Sequence, residues 1–332
     1  MSEYNEGSSK ELTDSQKSIK KIISGFNNPY TPFRFHEDMD YVLSKDNKSL
    51  TMDEVSVKYL TNYFTLSDLF IANAIAEIEF GTKDMIYNVL QQHAKKYKDK
   101  VIPTKYDSLR GRLSTLTQSN IVRRFRYTTS NKENVSVFTL TAIGYNFVKK
   151  ICNFKKNYDP LSSVFPVDEI VKSLAAINVM LKFTKYSSFI EYETNQNYYE
   201  KTIGRNKLYG EVKTQVGDHR YYILLEPMYF RYNSYRISGE EIEKNIKHRI
   251  NLIKAYCSNR TAKGTPIIIF VCEDKEGLKK AMIHTKKELV NFLGRIYFTS
   301  DSVVFKNDGI LNSLLNINQK GDVTDELKQN FF

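Results

Sequence analysis

In the first half of the chain the spacing of apolar residues changes from a helical period to a period of two and back, and the order of those changes restricts the fold. From Ser67 onward, Leu69, Phe70, Ile71, Ala74, Ile75 and Ile78 recur at three- and four-residue steps, as along one side of an α-helix. Gly81 stops this helix and Thr82 is placed to cap the next, which carries Met85, Ile86, Val89 and Leu90. Pro103 and Thr104 open a third helix whose apolar side holds Tyr106, Leu109, Leu113 and Leu116. The period then falls to two. IVRRFRY and VSVFTLT are alternating, β-branched and aromatic runs joined by the turn-rich TTSNKEN, which predicts a hairpin. AIGYNFVKKI closes the unit as a further helix.

Charge concentrates in the same place. The 332 residues carry a formal net charge of +11. Between Lys95 and Lys150 thirteen Lys or Arg stand against three acids (Asp99, Asp107 and Glu133), so this segment holds nearly all of the excess. Such a concentration attracts polyanions, and phosphate contacts to DNA release condensed counterions. At 100° per residue, the side of the third helix opposite its leucines presents Asp107, Ser108, Gly111, Ser114, Thr115 and Gln118, with Arg110 and Arg112 on the flanks. Small polar side chains let a helix axis sit deep in a major groove, where Gln pairs with adenine edges and Arg with guanine or phosphate. Gly111 costs about 1 kcal/mol of helix stability against Ala, which suits close backbone approach to a ligand. The hairpin adds Arg123, Arg124, Arg126 and Lys132. Alternation puts Arg124 and Arg126 on the face opposite Arg123, Phe125 and Tyr127, with Lys132 at the turn tip. The expected DNA contacts are therefore Ser108, Arg110, Arg112, Ser114, Thr115, Gln118, Arg123, Arg124, Arg126 and Lys132. Lys95, Lys96, Lys98 and Lys100 are further phosphate candidates.

These residues resemble the winged helix-turn-helix family. The matching pattern is Leu113 and Leu116, then Ser119-Asn120-Ile121-Val122-Arg123-Arg124, the turn from Thr128 to Asn134, and Phe138-Thr139-Leu140-Thr141-Ala142-Ile143-Gly144-Tyr145. The resemblance implies a double-stranded DNA reader, although some members of that family serve as protein-interaction modules.

The second half reads differently. Residues 1–25 are polar and expected to form a disordered arm, 26–152 the winged-helix domain, and 153–167 (with Pro160 and Pro166) a linker. From 168 to 320 the order is a helix to about Phe183, then strand-like runs SSFIEYE, NYYEKTI, KLYGEVKTQV and RYYILLEPMYF. An amphipathic helix from Gly239 to Tyr256, the buried strand TPIIIFVCE, a helix around 276–292 and the strands RIYFTSD and SVVF follow, leaving 321–332 as a tail. This order predicts a mixed-sheet α/β domain, so the whole chain is α+β. It is similar to a restriction-endonuclease-like core. A winged helix joined to such a core resembles the replication-relaxation family of plasmids and mobile elements, which implies a regulator or replication accessory factor acting as a dimer or through a protein partner.

Nuclease chemistry of that core would need acids on adjacent strands to hold Mg²⁺ and a lysine beside the transition state. Two registers compete. One uses Glu211-Val212-Lys213 with Glu193 or Glu200. The other uses Glu211 with Glu226-Pro227-Met228, where Met228 replaces the lysine and Lys244 or Lys247 would have to substitute. The favoured reading is a non-catalytic C-terminal domain with no cofactor and no metal; a Mg²⁺-dependent endonuclease and a protein-interaction scaffold are the alternatives. Phosphate-loop, dinucleotide, zinc-protease and nucleophile-elbow motifs are absent. His36, His93, His219, His248 and His284 are scattered and read as structural or exposed. Three distant cysteines exclude a disulfide framework, and the longest apolar run, Pro266 to Cys272, is too short to span a bilayer. With no secretory signal at the N-terminus, a cytoplasmic protein is expected.

Overall fold

The structure, a computed structural model, describes residues 42–43, 50–96, 105–128, 133–152, 167–200, 204–229, 239–258, 264–273, 275–289, 292, 294–306, 309–317 and 323–324. The expected arm (1–25) and nearly all of the expected linker (153–167) lie outside these residues.

The N-terminal unit comprises β1 (Val42–Leu43), α1 (Met52–Leu60), α2 (Leu66–Ile78), α3 (Lys83–Lys96), α4 (Tyr106–Gln118), β2 (Val122–Thr128), β3 (Asn134–Leu140) and α5 (Ala142–Cys152). Helix α1 escapes the periodicity because Val57 and Leu60 are exposed and Val55 is its buried residue. Its start is nonetheless written locally. The Thr51 amide donates to Glu54 Oε2 at 2.6 Å while the Glu54 amide donates to Thr51 Oγ1 at 3.2 Å, a reciprocal cap.

Helix α2 is buried almost all round and ends at Glu79, in the left-handed region, rather than at Gly81. Gly81 instead exchanges two backbone hydrogen bonds with Phe138 of β3, at 3.1 and 2.9 Å. The α2–α3 connection is thereby stitched to the hairpin, where a Cβ at Gly81 would lie 2.5 Å from Ile78 Cδ1. β2 and β3 pair antiparallel from Val122↔Leu140 to Thr128↔Asn134, and β1 covers the outer edge of β2 through Val42↔Arg126 and Leu43↔Phe125.

The turn from α4 into β2 has a defined mechanism. Asn120 adopts φ 54°, its amide donates to Thr117 O, and the Ile121 amide donates to Leu116 O at 3.0 Å. These two bonds satisfy the last carbonyls of α4, and buried Leu116 and Ile121 add the usual apolar contact. The Leu140-Thr141-x-x-Gly144 segment locks onto the same corner. Thr141 Oγ1 donates to Asn120 O at 2.6 Å, and the Gly144 amide donates to Thr141 Oγ1 at 3.1 Å. A Cβ at Gly144 would come within 2.1 Å of the Ile121 carbonyl oxygen, so only glycine fits that approach.

The C-terminal unit follows as α6 (Val167–Phe183), β4 (Phe189–Glu200), β5 (Gly204–Val216), β6 (His219–Met228), α7 (Gly239–Ser258), β7 (Thr265–Cys272), α8 (Lys275–Glu288), β8 (Arg295–Ser300), α9 (Asp301–Lys306), β9 (Leu315–Ile317) and β10 (Val323–Thr324). The seven strands lie in the order β10-β9-β8-β7-β6-β5-β4, with β6, β7 and β8 mutually parallel and the outer pairs antiparallel. Alternate residues of the central strands feed two cores. Ile223, Leu225, Ile267, Ile269 and Val271 pack on the side of α6, while Tyr222, Leu224, Ile268, Phe270 and Cys272 pack with Ile246, Ile250 and Ile253 of α7 and Leu278 of α8. The uninterrupted apolar run of β7 is thus buried on both faces, as expected.

Four expectations are corrected. Parts of SSFIEYE and NYYEKTI belong to one strand, β4 (Phe189–Glu200), which passes through Asn195 at φ 50° instead of turning. SVVF is helix α9 rather than a strand. Ser300 Oγ accepts from the Val303 amide at 3.3 Å, and the buried first turn overrides the β propensity of the two valines. The sheet continues past residue 320, because β10 pairs with β9. Tyr106, expected on the apolar side of the third helix, is 37% exposed.

The core is not divided between the two units. Ile71, Ala74 and Ile78 of α2 and Val89 of α3 belong to the same buried cluster as Leu174, Ile177 and Phe183 of α6. The C-terminal carbonyls of α2, which have no partner within the helix, are used at this junction. Glu77 O accepts from Thr194 Oγ1 at 2.8 Å and Ile78 O from Asn195 Nδ2 at 3.5 Å. Gln92 Nε2 donates to Thr184 Oγ1 at 2.7 Å across the same junction. Among the described residues no helix is long and apolar enough to cross a membrane.

Candidate nucleic-acid interface

Helix α4 separates its residues sharply. Leu109, Leu113 and Leu116 are buried, whereas Ser108, Arg110, Gly111, Ser114 and Gln118 are exposed and Thr115 is half-buried. Ser108 Oγ donates to Lys105 O and Thr115 Oγ1 to Gly111 O, which fixes both hydroxyls close to the helix surface. A Cβ at Gly111 would meet nothing within 4 Å. Nothing within the fold therefore requires glycine at that position.

Arg112 does not belong to this exposed face. Its Nε donates to Asp68 Oδ1 at 2.7 Å, and an Nη nitrogen donates to Asp68 Oδ2. Asp68 is fully buried in α2 and also accepts from the Thr65 amide at 2.7 Å, so one carboxylate caps α2 and ties it to α4. Its hydrogen bond raises the guanidinium pKa above the ordinary arginine value. A buried carboxylate requires a counter-ion, and periodicity alone cannot reveal where that carboxylate lies. The Thr65-x-x-Asp68 cap signature was the available clue.

In β2 the alternation falls as expected. Phe125 and Tyr127 are buried, Arg126 is exposed and Arg123 and Arg124 are half-buried. Burial, and then the neighbouring charge of Arg126, lower the pKa of Arg124. Two cations thus share one face of the hairpin. Arg110 and Arg126 have no ion-pair partner among the described residues. Burial, followed by the charge of Asp301, raises the Tyr127 phenol, which places the inner face of the hairpin near α9. Lys95 and Lys96 are exposed. Lys132, Lys98 and Lys100 lie outside the described residues.

Tyr106 opens α4 as a junction. Its hydroxyl donates to Asp84, its ring lies 3.4 Å from Lys83 Nζ and it meets Tyr87 edge to face at 5.3 Å. Burial and the Asp84 contact push its pKa up to about 12.

In the C-terminal unit the two nuclease registers fare differently. Glu226 is buried, and both its oxygens accept from Arg249 at 2.7 Å. Arg249 Nη1 also donates to Lys207 O at 2.9 Å and its guanidinium stacks 5.1 Å from the Tyr209 ring. A guanidinium thus already neutralises the acid of the second register, and Met228 is packed in the core. Lys247 stands 3.6 Å from Glu288, and Lys244 is exposed. In the first register Glu193 lies directly opposite Glu211, and Lys213 Nζ reaches Glu191 at 2.7 Å and Glu193 at 3.4 Å. Glu211, buried, accepts from Tyr256 Oη at 2.5 Å. Glu191, Glu211 and Lys213 line a cavity of about 1010 Å³. Glu200 pairs with Gly204 at the far end of β4. No group of three His, Cys, Asp or Glu side chains is disposed to hold a metal among the described residues. Of the histidines, His93 is buried against Glu77 at 2.7 Å, and His36 lies outside the described residues.

No protein-family model, no curated protein and no solved structure matches this chain.

Proposed function

We propose that the chain is a sequence-specific double-stranded DNA-binding protein of the winged helix-turn-helix type, with α4 entering the major groove and the β2–β3 hairpin as its wing. The reading that follows from the resemblance is a regulator or replication accessory factor of a mobile element. One observation carries it: an exposed α4 face of small polar side chains and Arg110, centred on a glycine for which the fold itself has no use. Arg110, Arg123, Arg124 and Arg126 supply affinity through phosphates, and Ser108, Ser114, Thr115 and Gln118 supply sequence preference. Arg112 acts indirectly, by holding α4 against Asp68. The C-terminal unit supports the same role as a non-catalytic platform for a second copy or a partner, since paired half-sites raise specificity. Selection of fragments from a random duplex pool tests this. A short enriched motif, relaxed by Gln118→Ala, is expected; absence of enrichment overturns the reading.

A second reading, a Mg²⁺-dependent endonuclease, is favoured by Glu211 and Lys213 lining a cavity, with Glu193 paired opposite Glu211. It requires metal-dependent plasmid cleavage that Glu211→Gln abolishes. Intact plasmid across divalent metals removes it.

A further inference from the structure

The junction between the two units encloses a second cleft, of about 570 Å³, in the size range of small-molecule sites. Its walls come from the first turn of α3, from Tyr106 at the start of α4, from the start of β3, from the C-terminal half of α6 and from Phe305 of α9. We infer that this cleft binds a small organic anion with a flat apolar body, and that occupancy weakens the hold of α4 on DNA. The second half of this statement rests on the DNA-binding reading above.

Three independent features of the walls specify the ligand. Met85, Leu181, the Tyr106 ring and Phe305, a phenylalanine 56% exposed, give the cleft apolar surface for a flat body. The Asn178 Nδ2 is shielded from solvent and lacks a hydrogen-bond partner among the described residues. A buried donor in that state is destabilising, and a turn of the half-buried Asn178 side chain toward the cleft lets an acceptor brought by a ligand satisfy it. Charge favours an anion. Lys83, Lys182 and Lys185 line the cleft against Asp84 and Glu133, and Asp84 already accepts the Tyr106 hydroxyl. The N-terminus of α3, a 14-residue helix capped by Thr82, opens on the same space and adds its positive dipole end.

The cleft is also placed to control the DNA surface. Tyr106 is the first residue of α4, and residues 133–136 begin the second strand of the hairpin, so both parts of the proposed interface border one ligand. An added negative charge beside them opposes the approach of phosphates. By linkage, DNA must then weaken the anion by the same factor.

The test uses the full chain with adenosine 5′-monophosphate and salicylate as probes for phosphate and carboxylate head groups, and adenosine and salicylamide as uncharged counterparts. At least one anion is expected to raise the melting temperature while its neutral counterpart does not. Asn178→Leu removes an unsatisfied amide, so the ligand-free protein melts at the same temperature or higher, yet the anion-induced shift disappears. Lys182→Gln is the second variant and is expected to shrink the shift. Equal shifts from neutral probes, no shift from either anion, or an undiminished shift in Asn178→Leu overturns the site. For control, the anion is expected to weaken duplex binding about five-fold or more. Anion binding with unchanged DNA affinity overturns the control half. Anion binding by a chain that fails to bind DNA at all leaves the site standing and overturns the DNA reading together with the control half.

Discussion

Helix α4 and helix α7 both carry arginines, and the two helices use them in opposite ways. On α7, Arg249 is half-buried and turned inward, bonded to both oxygens of the buried Glu226 and to a backbone carbonyl. On α4, Arg110 stands in solvent with no ionic partner among the described residues, and Arg112, two residues on and roughly 200° around the helix, is committed to Asp68. The contrast separates charges that complete a core from charges that the fold leaves in solvent. A guanidinium turned inward is explained by the carboxylate it neutralises, while Arg110, beside Gly111, has no such explanation among the described residues.

The largest effect should come from breaking the α7 pair. Arg249→Met leaves Glu226 buried and uncompensated and is expected to cost about 3–5 kcal/mol in denaturant unfolding. Glu226→Leu combined with Arg249→Met should recover most of that loss, since well-packed apolar replacements of a buried pair are often neutral or better. A double variant as unstable as the single one would show that the pair holds more than itself. Gly144→Ala comes next, at about 1–3 kcal/mol, because its Cβ would be driven into the Ile121 carbonyl and the α4–β2 corner would have to open.

Within α4 the comparison sharpens. Arg112→Ala strands the Asp68 carboxylate and should cost about 1–3 kcal/mol of stability, with the salt dependence of DNA binding unchanged. Arg110→Ala should do the reverse: stability within about 0.5 kcal/mol of the parent and a salt slope shallower by about one. Gly111→Ala is the subtlest. It meets open space, so thermal unfolding should rise by about 1 kcal/mol in stability, while duplex affinity falls. A Gly111→Ala protein that binds DNA as tightly as the parent would remove close backbone approach from the account.

Elements with a clean apolar period were legible in the sequence. The leucines of α4, the isoleucines of α7 and the alternation of β2 all lie where their spacing put them. What spacing could not show were the groups defined by tertiary partners. Arg112 flanks the polar side of an isolated helix and becomes internal because Asp68 lies beside it in α2. Glu226 has the look of a metal ligand until Arg249 arrives from 23 residues away. Strand β1 is two residues long, too short for any period to register. Asn195 sits between two strand-like runs as a turn residue would, and its left-handed backbone is instead absorbed within β4 by side-chain bonds to Ser173 and Ile78. Charge concentration located the candidate surface but not which cations remain on it.

The most direct test is the affinity of the full chain for its selected duplex, measured by fluorescence anisotropy from about 50 to 200 mM salt. A steep linear fall of log affinity with log salt, made shallower by Arg110→Ala and again by Arg126→Ala but not by Arg112→Ala, is the predicted result. Affinity indifferent to salt, or a slope that responds to Arg112 and ignores Arg110 and Arg126, would contradict it.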